Sequence, residues 1–284
     1  MKQGSTGASP GGGAPLADFV RFDDVWLAYD DELLAAGQYA VEAITLTARR
    51  GEFVVVVGPS GCGKSTFMKL ATGLRRPSKG RVTVDGREVT GPLKITGMAF
   101  QQSSLLPWRT TIDNVLLPLE IVEPHRSQFR ARRAEYEVKA RKLLQSVGLG
   151  GYEGQYPWQL SGGMQQRASI CRALIHEPSM LLLDEPFGAL DAFTREELWC
   201  ILRDLHAAQG FNVILVTHDL REAVFLADTV YVMSRGPGRM LVRRPIELAK
   251  PRDLELTYAR EFTDIVHELR EHIGSIRKPA GATS

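Results

Sequence analysis

The chain has 284 residues, 44% of them hydrophobic and 24% charged, ordinary for a globular protein and long enough for one α/β domain, with or without a subdomain. A formal net charge of +2 implies no strong pull toward nucleic acid or lipid headgroups, and three dispersed cysteines (Cys62, Cys171, Cys200) suggest neither a disulfide framework nor a zinc site, in keeping with a reducing compartment. No apolar stretch approaches the roughly 20 residues of a membrane-spanning helix, so a role at a membrane needs another chain to cross it.

In chain order, residues 4–15 are mostly Gly, Ser, Ala and Pro with no apolar signal-peptide core, and 1–17 reads as a disordered leader. From residue 19 to about 89, short apolar runs at 41–46, 53–57 and 81–84 read as strands, the last turning through Asp85-Gly86 into a hairpin partner at 87–89. One helix interrupts them, from Lys64 to near Gly73. From Gln101 to about His176 the pattern is helical: a long charged helix over 130–147 stops at Gly148, and a second begins after Ser161, with Pro178 beyond its end. Strands at 180–183, 213–216 and 229–233 then alternate with helices at 195–209 and 220–227, the order of a parallel sheet covered on both faces. Phe262, Ile265, Val266, Leu269 and Ile273 share one face of a terminal helix that docks on the core, and 274–284 reads as a flexible tail.

Three motifs carry chemistry. Gly58-Pro59-Ser60-Gly61-Cys62-Gly63-Lys64-Ser65-Thr66 matches G-x-x-x-x-G-K-[ST] between a buried strand and a helix. Glycines let successive N–H groups curl toward an anion, and the helix start adds positive potential. Lys64 can reach the β- and γ-phosphates of a nucleoside triphosphate, and the Ser65 hydroxyl can ligate Mg²⁺. Cys62 is filler in this loop, or a thiol made reactive by the helix N-terminus and protected by ATP. The second motif is the apolar run 180–183 ending in Asp184-Glu185, where Asp184 is placed to hold Mg²⁺ and Glu185 to deprotonate the attacking water. The third, Leu160-Ser161-Gly162-Gly163-Met164-Gln165-Gln166-Arg167, sets N–H groups and a hydroxyl at a helix N-terminus, a second phosphate nest.

With the third motif between the other two, the chain resembles the nucleotide-binding subunits of ABC transporters over about residues 19–273. The resemblance implies an α/β fold: a phosphate-loop NTPase core over 18–273, with an N-terminal antiparallel β subdomain and an α-helical subdomain inserted at about 102–176. It implies ATP and Mg²⁺ as ligands. Gln101 resembles the Q-loop glutamine, which touches nucleotide and metal, Asp191 belongs to a D-loop, and His218 resembles the switch histidine that acts with Lys64 and Glu185. Tyr29 resembles the aromatic that stacks on adenine, with Tyr39 a rival because 30–38 is long. Ser161, Gly162, Gly163 and Gln165 are implied to face the nucleotide held by a second copy, so that loss of the γ-phosphate opens the pair.

Leu105-Leu106-Pro107-Trp108-Arg109, Tyr156-Pro157-Trp158-Gln159, Asp191-Ala192-Phe193-Thr194-Arg195 and Ser234-Arg235-Gly236-Pro237-Gly238-Arg239 resemble the nitrate/sulfonate/taurine importer branch. That branch implies a separate integral-membrane permease dimer, a periplasmic or lipid-anchored substrate-binding protein, and a place on the cytoplasmic face of the membrane. Leu105, Leu106, Pro107 and Trp108 suit either a groove wall for the permease's coupling helix or a local core. A soluble superfamily ATPase is the alternative. The single cassette and the lack of a long coiled coil argue against it.

Overall fold

The computed structural model describes residues 18–277. The expected leader, 1–17, lies outside them. Among the described residues, ten strands form two sheets: β1 (Asp18–Leu27), β2 (Val41–Arg49), β3 (Phe53–Val57), β4 (Lys79–Val84), β5 (Arg87–Glu88), β6 (Thr96–Phe100), β7 (Met180–Asp184), β8 (Asn212–Thr217), β9 (Thr229–Met233) and β10 (Met240–Pro245). The first sheet is antiparallel, in the order β2-β1-β4-β5, and its hairpin turns on Asp85 and Gly86, both at positive φ. The second runs β10-β9-β3-β8-β7-β6, parallel except for β10 at one edge.

β3 is Phe-Val-Val-Val-Val, buried throughout, because a central parallel strand has no solvent face. Its pleat divides it between two cores. Phe53, Val55 and Val57 point into the apolar cluster shared with the helices, whereas Val54 and Val56 point toward the antiparallel sheet. Leu181 and Leu183 of β7 and Val213 and Leu215 of β8 join the first core, and their strand neighbours join the second.

Helix α1 (Asp31–Ala35) fills the long loop after Tyr29, its start capped by Asp30, whose carboxylate accepts from Leu33 N at 2.8 Å. Such a short helix has no apolar periodicity to betray it. α2 (Lys64–Ala71) leaves the phosphate loop. Between β6 and β7 come α3 (Thr111–Leu116), α4 (His125–Gln128), α5 (Arg133–Ser146) and α6 (Gly162–Leu174). α7 (Ala192–Gln209) and α8 (Leu220–Leu226) connect the later strands, and α9 (Arg260–Arg277) packs Phe262 and Leu269 onto the core. The expected tail boundary at 274 is therefore corrected: the helix runs on to Arg277, and 278–284 lies outside the described residues. Buried Arg252 closes the C-terminal end of α8, donating to the carbonyls of Val224, Phe225 and Ala227 at 3.0, 3.0 and 2.7 Å. Among the described residues no helix is long and apolar enough to cross a membrane.

Candidate functional site

Parallel pairing puts the ends of four strands on one edge. Val57 pairs with Thr217, Val216 with Asp184, and Asp184 with Phe100, so Gly58, His218, Glu185 and Gln101 each begin a segment leaving that edge. Ligands of such sheets bind beyond the carboxyl ends of the strands. There the protein has a cavity of about 840 Å³, lined by Ser60, Gly61, Gly63, Lys64, Ser65, Thr66, Gln101, Asp184 and Glu185, with Tyr29 and Tyr39 among its other walls.

The phosphate loop forms one wall. Gly63 precedes α2 at φ 101, where a side chain is strained and a Cβ would meet Val41 at 2.9 Å. No side chain caps α2, so its first N–H groups remain available to an anion. Lys64 is 7% exposed, and its ammonium donates to the carbonyls of Gly58 at 3.0 Å and Pro59 at 3.3 Å. It also lies 3.4 Å from Glu185 Oε1.

Glu185 is held in the left-handed region, φ 47, with its N–H donating to Val216 O at 2.8 Å. That conformation costs a non-glycine residue about 1–3 kcal/mol and here turns the chain sharply out of β7. His218 Nδ1 lies 3.2 Å from Glu185 Oε2. Two groups from distant segments thus converge on one carboxylate. Burial, and then the neighbouring Glu185, push Asp184 above its ordinary range against the pull of Lys64 and Ser65.

The residues of the third motif, a signature set of Ser161, Gly162, Gly163 and Gln165, lie elsewhere. Ser161 caps α6 by accepting from Met164 N at 3.3 Å, while Ser161 and Gly162 are exposed and Gly163 is buried. A Cβ on Gly163 would run into the Thr194 methyl, so glycine lets α6 lie close against the start of α7. None of these three lines the phosphate-loop cavity. The Gln165 amide is committed within the chain: Nε2 donates to the Pro157 and Leu160 carbonyls at 2.9 and 3.2 Å, and Oε1 accepts from Ser103 at 3.1 Å.

Both tyrosines reach the cavity rim. The Tyr29 hydroxyl bonds Thr66 Oγ1 at 2.7 Å, and the Tyr39 ring meets Trp26 edge-on at 5.0 Å. Of the two readings of Cys62, the burial of its thiol favours filler over a reactive group. Its side chain is fully buried, and burial raises its pKa more than Lys64 and the backbone lower it.

Several residues without a local signal of their role also shape this edge. Gln166 donates to Phe100 O at 2.9 Å, and Arg172 to Ser103 O and Ser104 O at 2.7 and 2.9 Å, so α6 holds the segment around Gln101. Glu222, in the first turn of α8, is 2% exposed, and its Oε1 is buried without a hydrogen-bond partner. Burial, then the Asp219 charge, raise it well above the carboxylate range despite Thr217 and Arg195, while Glu185 adds to the rise. A folded-state pKa above the unfolded one favours folding below the ordinary carboxylate pKa, and that benefit is lost as pH climbs toward the raised value. Glu222→Gln, neutral at every pH, is therefore expected to melt higher than the native protein at about pH 8, with the advantage fading near pH 4. Parallel melting curves for the two proteins across that range would refute it.

A sequence profile described as "ABC transporter" matches residues 41–188. The chain is 44% identical over 212 residues to the aliphatic sulfonates import ATP-binding protein SsuB of Bacillus licheniformis, covering 75% of this chain and 79% of that one. It is 45% identical over 214 residues to the taurine import ATP-binding protein TauB of Escherichia coli strain K12, covering 75% and 81%. Its fold matches the dimeric post-hydrolysis state of the ATP-binding cassette MJ0796 bound to ADP and Pi, with a TM-score of 0.63, 28% identity, and coverage of 81% of this chain and 100% of that one.

Proposed function

The chain belongs to the ABC transporter family, and from that premise we propose that it hydrolyses ATP to drive an importer of small sulfonates. It works at the cytoplasmic face of the membrane, as two copies closed around two ATP molecules. The observation that carries the catalytic part is the convergence of Lys64, at 3.4 Å, and His218, at 3.2 Å, on the Glu185 carboxylate beside the uncapped start of α2.

In this reading the N–H groups from Ser60 to Thr66 cradle the phosphates, and Lys64 turns from Gly58 O and Pro59 O to the γ-phosphate. A Glu185 carboxylate oxygen takes a proton from the attacking water, and His218 holds that carboxylate in line. The Ser65 hydroxyl, the Asp184 carboxylate and the Gln101 amide oxygen line one cavity as hard oxygen donors, a set that suits Mg²⁺. Bound there, the ion would supply positive charge against the phosphates. Adenine stacks on Tyr29 at the rim. The exposed nest of Ser161 and Gly162, away from the chain's own phosphate loop, suits the γ-phosphate of the other copy's ATP.

Of the four apolar residues after Gln101, Leu105 belongs to the core, whereas Trp108 is 71% exposed. Trp108 and Tyr156 border a cleft of about 640 Å³ that also contains Phe129, Arg109 and Arg133. Trp158 stacks on Tyr156 with ring centroids 4.6 Å apart. This aromatic surface suits a short amphipathic segment of a permease. The test is reconstitution in vesicles with the permease and binding protein: ATP turnover is expected to rise when the binding protein carries a sulfonate. Stimulation by an unrelated solute alone would overturn the substrate class. Trp108→Ala is expected to lower permease co-purification roughly 10-fold with ATP binding unchanged, and normal recovery would remove the docking surface.

A further inference from the structure

His218 lies beside Glu185 although its ring is mostly exposed and the two residues sit on separate strand ends. The segment after Glu185 turns back on itself, with Gly188 N donating to Glu185 O at 3.2 Å and Leu190 N to Phe187 O at 3.1 Å. Arg195, in the first turns of α7, donates from Nη2 to Leu190 O at 2.9 Å and pairs through Nη1 with Asp219 Oδ2 at 3.2 Å. Asp219 directly follows His218. Its other oxygen, Oδ1, accepts from Arg221 N at 2.8 Å and Glu222 N at 3.2 Å, and its own N–H donates to Thr217 Oγ1 at 3.0 Å. With all these bonds made, Asp219 cannot turn without uncapping α8, and the backbone of His218 is fixed with it.

The same strut reaches the signature nest. A Cβ on Gly162 would lie 4.0 Å from Leu190 Cδ2, and Thr194 packs on Gly163. A planar two-pronged guanidinium suits this geometry, because its two Nη groups reach a carboxylate and a carbonyl from one fixed plane. The Nε of Arg195 is buried without a partner, so the guanidinium is sited by its two Nη contacts.

We propose that Arg195 is a positioning residue for hydrolysis, tying the segment that follows Glu185 and abuts the signature glycines to Asp219, and so holding His218 in register with Glu185. The assignment rests on the reading of Glu185 and His218 as the hydrolytic pair. Movement of the signature helix is then transmitted to the histidine of the same chain through one side chain.

The test uses the purified full chain with ATP and Mg²⁺. Arg195→Met is expected to lower kcat on the order of 10- to 100-fold with KM for ATP within about threefold, since small misplacements of reacting groups act on the chemical step. Arg195→Lys, which keeps the charge but not the fixed fork, restores part of that loss and covers the case in which the methionine variant folds poorly. Asp219→Asn keeps the helix cap but removes the charge that Arg195 grips, and the double variant is expected to be no slower than the slower single one. A kcat within twofold of native for Arg195→Met, a loss seen in KM alone, or multiplying losses in the double variant would each overturn the strut. Glu185→Gln assayed alongside separates the two claims. If it is slow while Arg195→Met is fast, only the strut falls; if it turns over at the native rate, the base assignment falls and the strut with it.

Discussion

Glu185→Gln is expected to bind ATP, associate into dimers and turn over about 10²- to 10⁴-fold more slowly than the native protein, the range a positioned general base contributes. The substitution is nearly isosteric. It keeps the left-handed turn at φ 47 and the bond from its N–H to Val216 O, which depend on the backbone. It removes the carboxylate proposed to accept the water's proton, and with it the negative charge 3.4 Å from Lys64. With that charge gone, the ammonium has one competitor fewer for the γ-phosphate, so affinity holds or improves while chemistry stops. Phosphate release at saturating ATP, together with gel filtration in ATP and Mg²⁺, checks both halves. A native rate of release would remove the base, and monomers throughout would remove the ATP-clamped pair.

Lys64→Ala is expected to act on the other half of the cycle. The native ammonium is almost wholly buried and is held by two loop carbonyls and Glu185, so it stands at the cavity already desolvated and oriented. Without it the phosphates lose a charge-assisted partner worth about 1.5–3 kcal/mol, or roughly 10- to 100-fold in nucleotide affinity. Glu185 is also left facing the incoming anion unneutralised, which adds to the loss. Equilibrium binding of a fluorescent ATP analogue reads this directly, and an unchanged Kd would show that the loop's N–H groups suffice. The two substitutions part company in the observable: one traps nucleotide, the other does not hold it.

Much of the fold is legible in short windows because the signals are local. The run Phe53–Val57 is β-branched or aromatic throughout and can only be a buried strand, and Asp85-Gly86 dictates its own hairpin turn. Ser161 stands where a helix cap stands, and it caps its helix, whereas α7 starts at Ala192, ahead of the expected 195, because Asp191 caps it. Other elements give no such signal. β6, Thr-Gly-Met-Ala-Phe, lacks the apolar run of a strand and exists because β7 offers it an edge. α1 is five residues long, too short for any periodicity. At Cys62 two local rules oppose each other, and only the packing around the sulfur shows that burial outweighs the helix N-terminus.

The candidate site divides along the same line. The composition of each motif (glycines that curl a loop, a lysine and a serine after them, paired acids closing an apolar run) is a property of contiguous residues, and the chemistry available to each was determined by those residues alone. Their meeting was not. Gly58, Gln101, Glu185 and His218 come together because β3, β8, β7 and β6 lie side by side in parallel, an order set by which faces bury best against one another over the whole domain. Arg195 and Glu222 acquire significance only there. In the sequence Glu222 is an ordinary charged residue early in a helix and Arg195 only the end of a stretch with no role of its own, and the difference is made by neighbours from other elements, which decide whether a charged group meets water, a partner or neither.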